Sequence, residues 1–250
     1  FVDFDLRHFS VYDVERSIPN LMDGLKTSQR KILFSCFKRN LVREIRVAQL
    51  SGYVSENAAY HHGEESLNQA IIGMAQDYVS SNNINLLQPN GQFGTRLQGG
   101  KDSASPRYIH TCLSPWTNNV FLKDDQPILD YLDDDGTPVE PGYYAPIIPM
   151  VLINGCQGIG TGFSTTLPCF NPLDVVNLVQ SKLAGNQSSY ESLVNSMNPW
   201  YRGFRGNIVP LNDDRKQYMT FGVYRLINYK TIEIDELPIG VWTEDYKEFL

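Results

Sequence analysis

Apolar residues recur at helical spacing in three stretches of the first eighty positions. Ile32, Leu33 and Phe37 share one side of a segment that Ser28 can cap and that runs to about Lys38, with basic residues on the other side. A second helix is expected around Val47 to Ser55. A third is expected from about Glu64 to Val79, with Leu67, Ile71, Ile72, Ala75 and Val79 as its stripe. Upstream, Ser17-Ile18-Pro19 reads as a helix entry and Asp23-Gly24 as a break. Three short helices, one with a basic face, are the outline of a helix-turn-helix module, although any small helical bundle has the same periodicity.

The pattern then changes. Ser80 to Tyr108 is rich in Asn, Gly and Ser, with Leu86, Leu87 and Phe93 as its anchors, and predicts an ordered excursion or a β-wing. Ile109 to Leu132 reads as partly helical, broken at Ser114-Pro115. The run PIIPMVLIN predicts a buried strand that ends in the glycine turn GCQGIGTGFS. Asn171 then caps a helix with Pro172 at its first position, Val175, Val176, Val179 and Leu183 inward, and Gly185 as the stop. The last forty-odd residues alternate in β fashion. A boundary near 145–170 follows, mainly helical before it and α+β after it.

Composition narrows the class. With 42% hydrophobic, 12% aromatic and 20% charged residues, the chain is neither a disordered acidic tail nor a low-complexity linker. Apolar runs are too short to span a bilayer, and FVDFDLRHFS lacks the layout of a secretory signal. Four scattered cysteines, with neither CxxC nor zinc spacing, read as free thiols in a reducing compartment. The end at Glu248-Phe249-Leu250 reads as a piece of something longer.

The net charge of −7 argues against a polyanionic partner, but its distribution does not. Lys26, Arg30, Lys31, Lys38, Arg39, Arg43 and Arg46 stand against Glu44 alone, a local +6. From Lys123 to Glu140 one lysine faces seven acids. This pattern fits a polyanion-binding face, and equally a solvated helix beside an exposed acidic loop.

Glycine-rich stretches offer two nucleotide motifs and satisfy neither. In GTRLQGGKD the first P-loop glycine would fall at Thr95, and Asp102 replaces the metal-binding hydroxyl. After Gly158 and Gly160, Phe163 occupies the third glycine of a dinucleotide fingerprint. Tyr60-His61-His62-Gly63-Glu64 would need a third ligand from elsewhere to hold a metal. Capping a helix start, donating to phosphates, or plain surface histidines all fit it. In GGKDSASPRYI, Arg107 stands beside Tyr108. A phenol that attacks phosphorus must lose its proton, and a guanidinium can hold the charge that builds on the phosphoryl oxygens. On chemistry alone such a pair is an ordinary loop feature.

Four blocks carry a resemblance: RSIPNLMDGLKTSQRKILFSCFKRN, VAQLSGYVSENAAYHHGEESL, SSNNINLLQPNGQFGTRLQGGKDSASPRYI and PIIPMVLINGCQGIGTGFSTTLP. Together they resemble the DNA breakage-and-reunion region of eukaryotic-type DNA topoisomerase II, a type IIA enzyme. The resemblance implies an α+β chain: a winged-helix domain with the catalytic tyrosine over 1–148, then the N-terminal part of a mixed α+β tower domain over 149–250. It makes Tyr108 the nucleophile that links to a DNA 5′ end and Arg107 its transition-state partner. Arg16, Lys26, Tyr60, His61 and His62 match positions that contact DNA near the scissile phosphate. Ile159, which alone would read as a turn residue packed inward, matches an isoleucine that wedges between base pairs and bends the duplex.

The resemblance further implies double-stranded DNA as partner, a homodimer whose active site is shared with the other protomer's Toprim domain, and no membrane. Mg2+ and ATP would serve the full-length enzyme, neither bound by this segment, which would be inactive alone. The implied compartment is the nucleus, or the cytoplasm of an infected host cell if the source is a large DNA virus. Thr27-Ser28 departs from the family's usual proline and Cys156-Gln157 from Ala-Glu, which bears on subfamily. A winged-helix module that binds and bends DNA without chemistry is the alternative, as is a catalytically silent scaffold.

Overall fold

A computed structural model describes residues 1–212 and 217–250. The core forms where apolar spacing predicted it. Helix α2 (Thr27–Lys38) buries Ile32, Leu33 and Cys36, α3 (Val47–Asn57) buries Val47, Leu50 and Val54, and α4 (Glu64–Ala75) buries Leu67, Ile71, Ile72, Met74 and Ala75. Leu86, Leu87 and Phe93 of the polar excursion close over the same cluster. Two entry signals are corrected. Ser17-Ile18-Pro19 ends a helix, α1 (Arg7–Ser17), which follows a π-helical turn at Val2–Leu6. Proline forces the preceding residue out of the helical region, and Ile18 has φ −90° and ψ 124°. The cap of α2 is Lys26 rather than Ser28: its backbone N–H donates to Gln29 Oε1 at 2.9 Å.

Helix α4 stops at Ala75, short of Val79, because Gln76 turns extended and gives its side-chain amide to the carbonyls of Phe93 and Gly100. The excursion beyond it is ordered without a hairpin of its own among the described residues. Strand β1 (Ile45–Arg46) instead pairs antiparallel with β2 (His110–Thr111), Ile45 opposite Thr111. The helix expected over 109–132 is reduced to α5 (Thr117–Val120) and a 3-10 stretch at Lys123–Ile128, where Pro127 and the acidic residues discourage continuation. Strands β3 (Tyr131–Asp134) and β4 (Thr137–Pro141) follow as a hairpin turned by Asp135 and Gly136, both at positive φ. The acidic tip is exposed as expected, but Glu140 is buried against Lys31 Nζ at 2.8 Å.

PIIPMVLIN is not a strand. Prolines at 146 and 149 cannot donate to a ladder, and Met150–Ile153 forms a single helical turn, α6, that buries Met150, Val151 and Ile153. The glycine-rich stretch is a regular hairpin, β5 (Cys156–Gly160) with β6 (Phe163–Leu167), and not a turn alone. Helix α7 (Pro172–Leu183) begins as read, Asn171 accepting from the Leu173 amide at 2.9 Å. Only Val175 is fully buried, however, and Leu183 is 82% exposed. Helix α8 (Gln187–Ser196) precedes two hairpins, β7 (Asn207–Pro210) with β8 (Tyr218–Phe221) and β9 (Val223–Asn228) with β10 (Thr231–Glu236), then α9 (Thr243–Phe249). The class is therefore mixed α+β.

Two buried side chains fix the connections. The Asp23 carboxylate accepts from Arg30 Nε at 2.8 Å, from Arg30 Nη2 at 3.2 Å, and from the amides of Leu25 and Tyr144 at 2.9 Å each. It therefore shapes the turn into α2 and pins the strand-side segment at Tyr144. Gly24 within that turn lies so close to Val151 that a Cβ would come within 2.8 Å of its backbone. Asn83 donates through Nδ2 to the carbonyls of Ile153, Phe170 and Trp200 and accepts the Arg202 amide. Replacing Asp23 by Ala strips Arg30 and two buried amides of their partner. Chemical denaturation should show a loss of about 3–5 kcal/mol, whereas a loss under about 1 kcal/mol would refute this role.

Candidate functional site

The last turn of α1, the start of α2 and the loop between α3 and α4 converge on one open cavity of about 570 Å³. Arg16, Lys26, Tyr60, His61 and His62 all line it, so five residues scattered over 47 positions of sequence meet in space. Helix α3 delivers the aromatic-histidine run through Ala58 and Ala59, the latter at φ 46°. Lys31 Nζ holds that exit by donating to the Ala58 carbonyl at 2.5 Å as well as to Glu140.

Within the cavity the groups contact one another. Tyr12 Oη lies 2.9 Å from His62 Nε2, and the Tyr60 ring meets the His62 ring edge-on at 5.4 Å. The Arg16 guanidinium sits 5.9 Å above the Tyr12 ring. Partial burial lowers the His62 pKa, and the cationic Arg16, the neighbouring His61 and Lys31 lower it further. Burial raises the Tyr60 hydroxyl, against the pull of Arg16. At neutral pH the cavity thus presents Arg16, Lys26 and a neutral imidazole as donors suited to anionic oxygens, beside the carboxylates of Glu15 and Asp134 and the Lys31-paired Glu140.

Arg107 and Tyr108 are not in this cavity. They sit exposed at the tip of a loop, Tyr108 at 78%. Backbone bonds hold that loop on both sides of the tyrosine: the Ala48 amide donates to Pro106 O at 3.1 Å and the Val47 amide to Ile109 O at 3.0 Å. The Tyr108 amide itself donates to Ser105 O at 2.9 Å. Glycine-rich residues 94–102 behind it form a closed turn. Asp102 accepts the Thr95 amide and hydroxyl at 2.8 and 2.5 Å, and these bonds hold its carboxyl low although burial pushes it up.

The far end of the chain covers that turn. A Cβ on Gly99 would collide with the Trp242 indole, Arg96 pairs with Glu236, and the Glu244 amide reaches Leu97 O at 3.1 Å. A second open cavity, of about 730 Å³, lies beside β1 and β2 and is lined by Arg39, Arg43, Arg46 and His110 together with Glu44.

Ile159 lies in β5, one residue from the hairpin turn, and is 73% exposed rather than packed inward. The hairpin rests on α1: Asp13 Oδ2 accepts from the Thr161 amide and hydroxyl, both at 2.8 Å. Tyr12, Asp13 and Thr161 were not singled out from sequence, and Lys31 was named only as one of the basic cluster. Only the spacing of Tyr12, Asp13 and Arg16 along one helix could have pointed to them, and α1 has no apolar stripe to announce itself.

Metal ligation finds no support here. Among the described residues no three His, Cys, Asp or Glu side chains cluster, and His61 only approaches Asp134, at 3.9 Å. Glu140 is committed to Lys31. Magnesium does not fit these residues. All four cysteines are free, and burial pushes the Cys36 and Cys169 thiols up to about 12, which leaves them protonated. No helix among the described residues is long and apolar enough to cross a membrane.

Residues 16–250 match the sequence family of the DNA gyrase/topoisomerase IV A-subunits. The chain is 56% identical over 252 residues to the DNA topoisomerase 2 of Arabidopsis thaliana, covering all of this chain and 17% of that protein. It is 52% identical over 254 residues to the probable DNA topoisomerase 2 of Dictyostelium discoideum, covering all of this chain and 16% of that one. It thus spans about one sixth of the length of these curated relatives. The crystal structure of the Plasmodium falciparum topoisomerase II DNA-binding, cleavage and re-ligation domain superimposes with a TM-score of 0.93 at 50% identity, covering 99% of this chain and 33% of that one.

The cavity's electrostatics can be read directly. In an NMR titration His62 should show a midpoint below the ordinary value of about 6.5, and Arg16→Gln should move it back up. Because the folded ring holds its proton less tightly than the unfolded chain, this site weakens the fold as pH falls below about 6.5. A midpoint at or above the ordinary value would contradict the arrangement described.

Proposed function

The chain belongs to the DNA gyrase/topoisomerase IV A-subunit family, and from that premise we propose that it is the DNA-cleavage and religation segment of an ATP-dependent type IIA topoisomerase. The observation that carries this reading is the presentation of Tyr108. An exposed phenol stands beside Arg107 on a loop whose backbone is fixed to β1 and α3 on both flanks. A nucleophile must reach a phosphorus that the protein does not enclose, and it must do so from a defined position.

In the step proposed, the Tyr108 oxygen forms a bond to the phosphorus of one DNA strand as its O–H bond breaks. The bond from phosphorus to the 3′-oxygen breaks, and that oxygen leaves with a proton. One phosphodiester replaces another, so the link to the 5′ end stores the energy that religation needs. Arg107 stabilises the charge on the non-bridging oxygens. Arg16, Lys26, Tyr60, His61 and His62 hold backbone phosphates of the same duplex from their shared cavity, a donor set matched to that task. Ile159, exposed on its hairpin, wedges a base step and bends the duplex.

The segment divides into a winged-helix unit over 1–148 and the first part of a tower over 149–250. The division is one of chain organisation, since Met150, Ile153 and Val175 pack into the same apolar cluster as α2, α3 and α4. Magnesium and ATP act in the longer protein through residues outside this segment, and the active form is a homodimer in the nucleus. The segment alone is inactive.

A non-catalytic bending module is the second reading, favoured by the absence of Tyr108 from the residues that line the cationic cavity. One experiment separates the two. The full-length protein that carries this segment is incubated with magnesium and end-labelled duplex, quenched in detergent and digested, and the DNA-linked peptide is identified. Wild type should yield a peptide containing Tyr108. Tyr108→Phe should lose capture while keeping duplex affinity and its salt slope within about twofold. Capture by the mutant, or by neither protein, would refute the nucleophile assignment.

A further inference from the structure

We infer that Asp13 is the positioning residue that aims Ile159: its carboxylate latches the turn of the β5–β6 hairpin onto α1, so that the isoleucine is held as a rigid wedge. The inference rests on the proposed wedging of DNA by Ile159. A two-stranded hairpin is marginally stable by itself and would swing under load. Here three features stop it. The two glycines flanking Ile159 face α1, because a Cβ on Gly158 would lie 2.5 Å from Ser17 O and one on Gly160 3.2 Å from Val14 Cα. Strand alternation therefore turns Ile159 to the opposite face, away from the helix. At the tip, Asp13 Oδ2 accepts both the amide and the hydroxyl of Thr161, each at 2.8 Å, across 148 positions of sequence.

The same carboxylate belongs to the cavity's neighbourhood. Asp13 Oδ1 is 3.3 Å from Ser17 Oγ and 4.0 Å from Arg16 Nη2, and Tyr12, the adjacent residue, meets His62. No residue of α1 is fully buried, and these polar contacts, with Thr27 Oγ1 donating to Glu15 O at 3.1 Å, seat the helix together with its close packing on Gly158 and Gly160. One short helix thus joins the wedge to the phosphate-holding residues. A hairpin freed from Asp13 would still let Arg16 and Lys26 bind phosphates but would rotate instead of prising a base step apart.

The test uses the full-length protein that carries this segment and a duplex labelled at both ends for energy transfer. Binding, bending and cleavage are measured separately for wild type, Asp13→Ala, Asp13→Asn, Thr161→Val and Ile159→Ala. Asp13→Ala should keep duplex affinity within about threefold, since no phosphate contact is removed. It should lose most of the bend, with cleavage falling about tenfold or more, as the deformation energy is no longer supplied. Asp13→Asn retains an oxygen that can accept both Thr161 donors and should bend as wild type does. Thr161→Val, which removes one of the two bonds and leaves α1 intact, should fall between wild type and Asp13→Ala. Wild-type bending by both Asp13→Ala and Thr161→Val, with bending lost in Ile159→Ala, would overturn the latch and leave the wedge standing. Full bending by Ile159→Ala would overturn the wedge reading itself, and the latch with it.

Discussion

One buried carboxamide holds the two halves of this chain in register. Asn83 leaves the polar excursion and enters a space where three carbonyls converge, those of Ile153, Phe170 and Trp200, all within 3.0 Å of its Nδ2. Its Oδ1 takes the Arg202 amide at 2.8 Å. A reciprocal pair next to it, Ile84 N to Asn154 Oδ1 and Asn154 Nδ2 to Ile84 O, doubles the stitch at 2.8 Å each way. In a buried setting such groups must be satisfied by something, and only a side chain with donors and an acceptor on one planar end can serve this many. The position of α6 depends on this node, and so does that of the β5–β6 hairpin that α6 leads into. The geometry of Ile159 is therefore set partly by a residue in a loop more than seventy positions earlier.

Pairing inside the protein also changes the meaning of its charge. Of the seven cations between Lys26 and Arg46, Arg30 is consumed by Asp23 and Lys31 by Glu140, both in buried contacts. They are structural, and counting them as a binding face overstates it. Of the five left, Lys38 lies over the Phe34 ring and the other four divide in two. Lys26 joins Arg16 in the cavity with the histidines, while Arg39, Arg43 and Arg46 line the other cavity beside the tyrosine loop. A chain of net −7 can therefore offer phosphates two surfaces that carry cations, although Glu15 and Asp134 line the first of them and Glu44 the second.

Helices with an apolar stripe were legible in the sequence, and α2, α3, α4 and the start of α7 lie where their spacing puts them, because burial of Leu, Ile and Val at helical period leaves few alternatives. Asn171 and Pro172 also read correctly, since capping is a local property. What failed was non-local or lacked a face to bury. α1 is held by polar contacts to residues far along the chain, so no periodicity marks it. PIIPMVLIN has strand-like composition but has no partner strand, and its apolar residues fill the core as one helical turn instead. The basic and histidine positions could be named from motifs, but that five of them share a cavity while Tyr108 stands apart is a matter of packing alone. Asp13 and Thr161 could not be joined by reading: their contact spans most of the chain.

The cover over the turn behind the tyrosine loop sets an order of events during synthesis. Arg96 pairs with Glu236 across 140 positions, and Gly99 packs on an indole at 242. Translation at roughly 5–20 residues per second separates those ends by about 7–28 s, before any delay in the exit tunnel. The helices that carry Val47 and Leu67 meet through short-range contacts and close quickly. The turn at 94–102 waits. It is thus among the last features of this segment to acquire its final shape, after the helical body and the Tyr108 loop bonded to α3 have already formed.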